Sequence, residues 1–205
     1  MHRRIATILA LVAVTLGLAE PAANADQPAT LTATLGQLWT SVLETKTQLN
    51  PFGKGGAHAS ACWDVGGVVA PLAPTPVDSC KVKSGTKIFV SASSAECSTF
   101  QGDCGGPGST EQDLVNNATL LIDKNPQVTL DGNPVTVTYV QTKPMNIVLP
   151  KNNIFGLPEG TSGQSVALGE VALLDSLTPG IHEIHVVTKN STPPADYVTK
   201  IIVHP

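Results

Sequence analysis

The chain has 205 residues and a formal charge of -4, and only 14% of its residues are charged. Mild acidity offers nothing to nucleic acid or to anionic lipid, both of which select basic surfaces, and sparse charge with abundant Gly, Pro, Thr, Asn and Ser is the balance of an exported β-rich protein. Patterned apolar segments recur to the end of the chain, which places it outside the disordered class.

The opening residues, "MHRRIATILALVAVTLGLAEPAANADQ", set a basic His2-Arg3-Arg4 before an apolar run from Ile5 to Ala19 and a small-residue site at Ala23-Asn24-Ala25. This is the pattern of a secretory signal peptide over residues 1–25. The run is shorter than the ~20 apolar residues that a membrane helix needs. The expectation is therefore cleavage, leaving one domain over residues 26–205 that has no membrane span and works outside the cytoplasm, secreted or at the cell envelope. Loss of Arg3, Arg4 and Glu20 with the leader takes the formal charge of -4 to -5.

Leu31, Leu35, Leu38, Trp39 and Val42 recur at helical spacing, predicting an amphipathic helix over about residues 31–49 that Asn50-Pro51 stops. The glycine-rich "PFGKGGAHAS" that follows, with His58, reads as a loop. From Cys62 to about Ser93 the pattern turns to short Val- and Ile-rich runs, "WDVGGVVAPL", "SCKV" and "TKIFVSAS", which read as strands. "ECSTFQGDCGGPGST" reads as an irregular loop. A second helix is expected over about residues 110–124, with Thr110 and Asp113 as capping partners and Leu114, Val115, Ala118, Leu121 and Ile122 as the buried stripe. Thereafter "QVTLDGNPVTVTYVQT", "MNIVLP", "SVALGEVALLDSL", "GIHEIHVVTK" and "DYVTKIIVHP" read as strands, with a tight turn at Asp131-Gly132. The sum is a mainly β protein, a jelly-roll or immunoglobulin-like β-sandwich with two short helices, with a barrel as the competing architecture.

Four cysteines, Cys62, Cys80, Cys97 and Cys104, make an even count in a chain read as exported, hence two disulfides with three possible pairings. Sequential pairing is preferred, because one bridge then ties neighbouring strands and the other closes a short glycine-rich loop. Zinc is disfavoured, since the spacings contain no C-x2-C pair.

Trp39, Asn50-Pro51, the glycine-rich stretch to Cys62, then Cys80-x-Val82-x-x-Gly85-x-x-Ile88-Phe89-Val90 and Glu96-Cys97-Ser98 together resemble a family of uncharacterised exported bacterial proteins whose members carry a "CTVPAGKALFFP"-like segment followed by "ECS". "LDGNPV", "LPKNNIFGLPEGTSG" and "LTPGIHEIHV" look like that family's DG turn, its proline and asparagine loop and its L-x-P-G-x-H-x-I strand start. Lys81 and Lys83-Ser84 depart from its usual threonine and Pro-Ala. The resemblance implies an exported, disulfide-bearing β fold and carries over no catalytic residue.

Candidate chemistry is thin. "HEIH" is one residue short of the zinc-protease H-E-x-x-H, and on a strand His182 and His185 point to opposite faces, so one ion cannot take both. A sharper use of His182 pairs it with Glu170 or Asp175 as acid and base. Asp131 and Glu159 sit beside glycines in turns, and a calcium site from Asp123, Asn125, Asp131 and Asn133 competes with a plainer reading as cap and turn. No cofactor or metal is called for. The long loop over residues 149–165, with Asn152, Asn153 and Phe155, and the strand residue His182 are the ligand-binding candidates. These readings converge on an exported, monomeric binding or structural module for a small molecule, glycan or protein. A secreted enzyme acting on a polymer such as polysaccharide is the alternative.

Overall fold

The computed structural model describes residues 27–53, 62–71, 79–102 and 104–205. The expected signal peptide and His58 lie outside the described residues. The architecture is mainly β, two mixed sheets with two helices. In chain order come α1 (Gln27–Leu43), a 3-10 turn (Thr47–Leu49), β1 (Cys62–Val65), β2 (Val68–Pro71), β3 (Ser79–Lys83), β4 (Lys87–Ser98) and α2 (Glu111–Thr119). Then follow β5 (Gln127–Leu130), β6 (Asn133–Pro134), β7 (Thr138–Gln141), β8 (Met145–Val148), β9 (Ser162–Leu174), β10 (Gly180–Thr188) and β11 (Ala195–His204).

The first sheet runs β1-β2-β4-β9-β7, with β8 also on β9, and the second runs β3-β11-β10-β5-β6. They face one another through Ile88, Val90 and Ala92 of β4, Ala172 of β9, Cys80 and Val82 of β3, Ile184 and Val186 of β10, and Ile201 and Val203 of β11. These residues recur at period two because alternate side chains of a strand share a face. The same period turns Phe89 and Val171 the other way, onto Leu31, Leu35 and Leu38 of α1. The sheet ladder outlasts the sandwich, and there α2 takes over: Ala95, Cys97, Val166 and Leu168 pack on Leu114 and Ala118. Both sequential disulfides form, Cys62–Cys80 and Cys97–Cys104, with Cα separations of 5.1 and 5.2 Å. Two such bridges belong to an oxidising compartment. No helix among the described residues is long and apolar enough to cross a membrane.

Three boundaries differ from the sequence reading for tertiary reasons. α1 ends at Leu43 rather than near residue 49, because Asn50 Nδ2 donates to Val42 O at 2.6 Å while Thr47 N and Oγ1 donate to the carbonyl of Asn152. α2 stops at Thr119 after a full Thr110–Asp113 capping box, and the chain then turns through Leu121 to Asp123. β4 runs on to Ser98, through the Glu96-Cys97-Ser98 read as loop, because β9 pairs with it over its whole length.

The β4–β9 ladder is broken once, by a bulge between Ser91 and Ser93, and Gly169 lies one position past that bulge, opposite Ser94. A Cβ at Gly169 would lie 2.5 Å from Ser93 O and 2.6 Å from Ser94 Cα, both backbone atoms that cannot swing away. Gly169→Ala should therefore lower stability by about 1–3 kcal/mol in denaturant unfolding. The second sheet holds the opposite kind of flaw: Thr199 is 1% exposed and its hydroxyl has no partner among the described residues. Thr199→Val, which removes that buried hydroxyl at nearly constant volume, should raise stability by about 1 kcal/mol in the same measurement.

Candidate functional site

Six consecutive residues of β4, Ser91 to Glu96, line two adjoining cavities of about 330 and 230 Å³. Side chains of a strand alternate between faces, so a wall of consecutive residues is the strand's edge rather than one face of it. β2 pairs with β4 only at Lys87 and Ile88, which leaves that edge free of a described strand beyond the first turn of the ladder. The larger chamber alone reaches the ~300 Å³ at which ligand pockets begin.

α1 supplies the first wall. Trp39 stacks on Phe52 with ring centroids 6.0 Å apart and planes 9° from parallel, and its indole N–H donates to Ser94 Oγ at 3.3 Å. Ser94 Oγ lies 2.6 Å from Ser91 Oγ, so the bulge's hydroxyls fix the indole from below. Phe52 is 57% exposed at the cleft, an aromatic face held toward solvent by its stacking partner. The connection between β10 and β11 supplies the opposite wall, through Thr188, Ser191, Thr192, Pro193 and Ala195. Asp123 holds that wall in place: its Oδ2 accepts from Lys189 N at 2.7 Å and Asn190 N at 3.0 Å, its Oδ1 accepts from Asn125 N, and Thr192 N donates to Leu121 O. Those backbone N–H groups, led by Asn190, hold the Asp123 carboxyl below its ordinary range. Tyr197 closes the larger chamber, and burial pushes its phenol up to about 12.

Glu96 forms part of the smaller chamber's wall, beside Trp39, Leu43, Phe52, Ile154 and Phe155. It is 6% exposed, and Ser165 Oγ donates to its Oε1 at 2.6 Å. Burial raises its pKa to about 7, against the opposing hydrogen bonds of Ser165 and Ser98. It is thus an acid that changes charge near neutrality inside an apolar, aromatic enclosure.

The residues singled out from the sequence are placed apart. Phe155 lines the smaller chamber and meets Phe100 edge-on at 5.3 Å. Asn153 is 3% exposed, and its amide is spent inside its own loop: Oδ1 accepts from Phe155 N and Leu157 N, and Nδ2 donates to Pro150 O and Leu157 O. Asn152, at φ 57°, gives its carbonyl to Thr47. His182 belongs to the second sheet. Its partner is neither Glu170 nor Asp175 but Asp131, Nδ1 to Oδ2 at 2.7 Å, and its Nε2 is 2.9 Å from Thr178 O. Both partners are acceptors, an arrangement that favours the protonated ring and raises its pKa, chiefly through Asp131. That arrangement clips the β5–β6 turn to the start of β10, since Asp131 Oδ1 also accepts from Glu183 N, and it engages both ring nitrogens. Asp175 instead lies 3.8 Å from Lys87, and His185 faces away to Asp196. The four proposed calcium donors do not share a site: Asp123 serves Lys189, Asn190 and Asn125, and Asp131 serves His182 and Glu183. Among the described residues no three His, Cys, Asp or Glu side chains group to hold a metal ion.

No protein-family model matches the chain, and no curated protein is similar to it in sequence. Among solved structures, the solution structure of Amebosin aligns over 62% of this chain and 88% of its own at 11% identity with a TM-score of 0.23, a likeness too weak to carry an argument.

Glu96 makes stability depend on pH in a defined direction. Its folded pKa of about 7 stands above its ordinary 4.5, so its contribution is fully present below pH 4.5 and is lost as pH rises through about 7. His182 adds a second loss in the same direction, at a folded pKa above 6.5, and Asp131, held low by His182, loses its share only as pH falls below the carboxylate range. Glu96→Gln should flatten the fall between pH 5 and pH 8 and leave the variant more stable than the parent at pH 8 by on the order of 2 kcal/mol, the amide keeping part of the burial cost. Thermal unfolding of both proteins across that range is the check, and a parallel loss of stability in the variant would refute the assignment.

Proposed function

We propose that the chain is an exported binding module whose ligand seats in the cleft between α1, the open edge of β4 and the β10–β11 connection. The observation that carries this reading is the Trp39–Phe52 stack facing a cavity of about 330 Å³ with a ring of hydroxyls beneath it. An apolar enclosure with a few convergent polar groups is the general form of a small-ligand site. The sandwich holds the walls, and the ring of Phe52 stays 57% exposed at the cleft while stacked on Trp39. The signal-peptide pattern and the two disulfides support work outside the cytoplasm. The alternative of a polymer-cleaving enzyme calls for two carboxylates, or a carboxylate and a free imidazole, around one site. The described lining of the cleft offers a single acid, Glu96, and His182 lines neither chamber, so the binding reading has the better support.

Thermal unfolding of the mature, disulfide-intact protein against a panel of small organic molecules, oligosaccharides, cell-wall fragments and peptides tests it. A ligand at 100 times its Kd stabilises by ~2.7 kcal/mol, which moves the midpoint of a domain of this size by about 5–11 °C. Phe52→Ala, which trims an exposed ring and spares the core, should abolish that shift while leaving the unliganded midpoint within about 2 °C. A shift that survives in Phe52→Ala and in Trp39→Ala places the ligand elsewhere, and no shift across the panel favours a purely structural role.

A further inference from the structure

We propose that the smaller chamber of the cleft is a site for an organic ammonium cation, with the Glu96 carboxylate as its counter-ion and the faces of Trp39, Phe52 and Phe155 as its aromatic wall. This rests on the cleft reading above and names the chemical class of its ligand.

The argument begins with a missing charge. A carboxylate removed from water is costly unless a cation or several hydrogen bonds compensate it. Glu96 is 94% withdrawn from solvent, having 6% exposure, and its side-chain partners are two serine hydroxyls, Ser165 and Ser98. The ion pairs among the described residues lie elsewhere, Lys87 with Asp175, His182 with Asp131, His185 with Asp196 and Lys200 with Glu183, and none of them includes Glu96. Among the described residues, therefore, no cation of this chain neutralises Glu96.

What surrounds the carboxyl selects the sign and shape of the missing partner. From α1 it is faced by Trp39 and Leu43, and from the segment between β4 and β5 by Gln101 and Leu121. Phe52, Ile154, Phe155 and Thr192 make up the rest of its described lining, and Ser165 approaches from β9. Among the described lining residues Glu96 is the one group that ionises near neutrality, so it sets the charge of the described wall. The negative faces of aromatic rings attract cations, and rings with a carboxylate behind them are the arrangement that recognises an alkylated ammonium head. An anion would meet repulsion from Glu96, and a neutral guest would leave the buried acid uncompensated. The volume of about 230 Å³, opening onto the larger chamber through the shared Trp39, Phe52 and Ser94, leaves room for an apolar tail beyond the head group.

A permanent cation binds the ionised carboxylate and displaces its proton. With the pKa at about 7, the ionised fraction of Glu96 rises about tenfold between pH 6 and pH 8, and affinity should follow it.

Isothermal calorimetry on the disulfide-intact protein with benzyltrimethylammonium, whose charge does not titrate, and benzyl alcohol as neutral control decides the matter. The expected result is binding of the cation roughly tenfold tighter at pH 8 than at pH 6, with proton release at pH 7 seen as a heat that depends on the buffer. Glu96→Gln should weaken the cation about tenfold at pH 8 and abolish the pH dependence while leaving the weak binding of benzyl alcohol unchanged. Cation binding that is independent of pH, or equal in Glu96→Gln, overturns the ammonium assignment and leaves the cleft reading standing. No cation binding at all also overturns it, and joined to silence across the wider panel it removes the cleft reading too. Should Glu96→Gln fail to fold, the pH profile and proton release of the parent protein decide alone.

Discussion

Everything in this fold hangs on the antiparallel pairing of β4 with β9. These are the two longest strands, and β9 is buried without interruption from Ser165 to Ala172. A strand covered on both faces can be apolar on both, which is why "SVALGEVALL" lacks clean alternation. Three bodies share the two faces of this ladder. The second sheet covers one face near Ile88 and Val90, α2 continues that cover near Cys97 and Val166, and α1 takes the reverse face at Phe89 and Val171. The bulge at Ser91–Ser93 sits where the cover passes from sheet to α2, and the extra residue adds twist at that junction. The cleft opens at the same point, so the irregularity that lets one strand serve two layers lies beside an edge that no described strand pairs.

Local chemistry was the legible part of the sequence. Asp131-Gly132 reads as a tight turn because both residues tolerate positive φ, and they adopt 51° and 78°. Thr110 and Asp113 read as a capping box from spacing alone, and both halves of the box form. "HEIH" on a strand separates its histidines by parity, and His182 lies with Ile184 and Val186 while His185 turns outward to Asp196. Each of these is decided within a few residues. The boundaries that departed were decided at long range: the end of α1 by the carbonyl of Asn152, 105 positions from Thr47, and the second half of β4 by its partner β9.

The cleft was illegible for the same reason. Glu96 stands in "SASSAECS", a run of small residues that carries neither a strong β signal nor a catalytic pattern. Its burial is made by Trp39 and Phe155, which lie far from it in sequence on either side. The loop of Asn152 and Asn153 drew notice because asparagines among glycines and prolines look like ligand groups. In the structure that loop closes on itself around the Asn153 amide, and its contribution to the cleft is the apolar Phe155. A faint signal did exist: parity along β4 from Phe89, corrected for one bulge, puts Glu96 on the face that α1 covers.

The energetic position of Glu96 argues for use rather than architecture. A glutamine there would keep a hydrogen bond to Ser165 without the ionisation that burial opposes, and a leucine would suit the apolar side of the chamber. Structural acids in this protein are treated differently. Asp123 and Asp131 are each given backbone N–H donors that favour the charged form, and both are held below their ordinary range. Those acids stabilise the fold by being ionised at neutral pH. Glu96 and Glu170 are the reverse case, buried carboxyls whose ionisation works against the fold, and of the two it is Glu96 that lines the cleft, its principal hydrogen bond coming from a single serine. Folds tolerate such groups where function requires them, because stability is then surrendered for a poised charge. The contrast between acids satisfied by the backbone and an acid set against an aromatic cavity is what favours the cleft over the histidine strand as the proposed binding site.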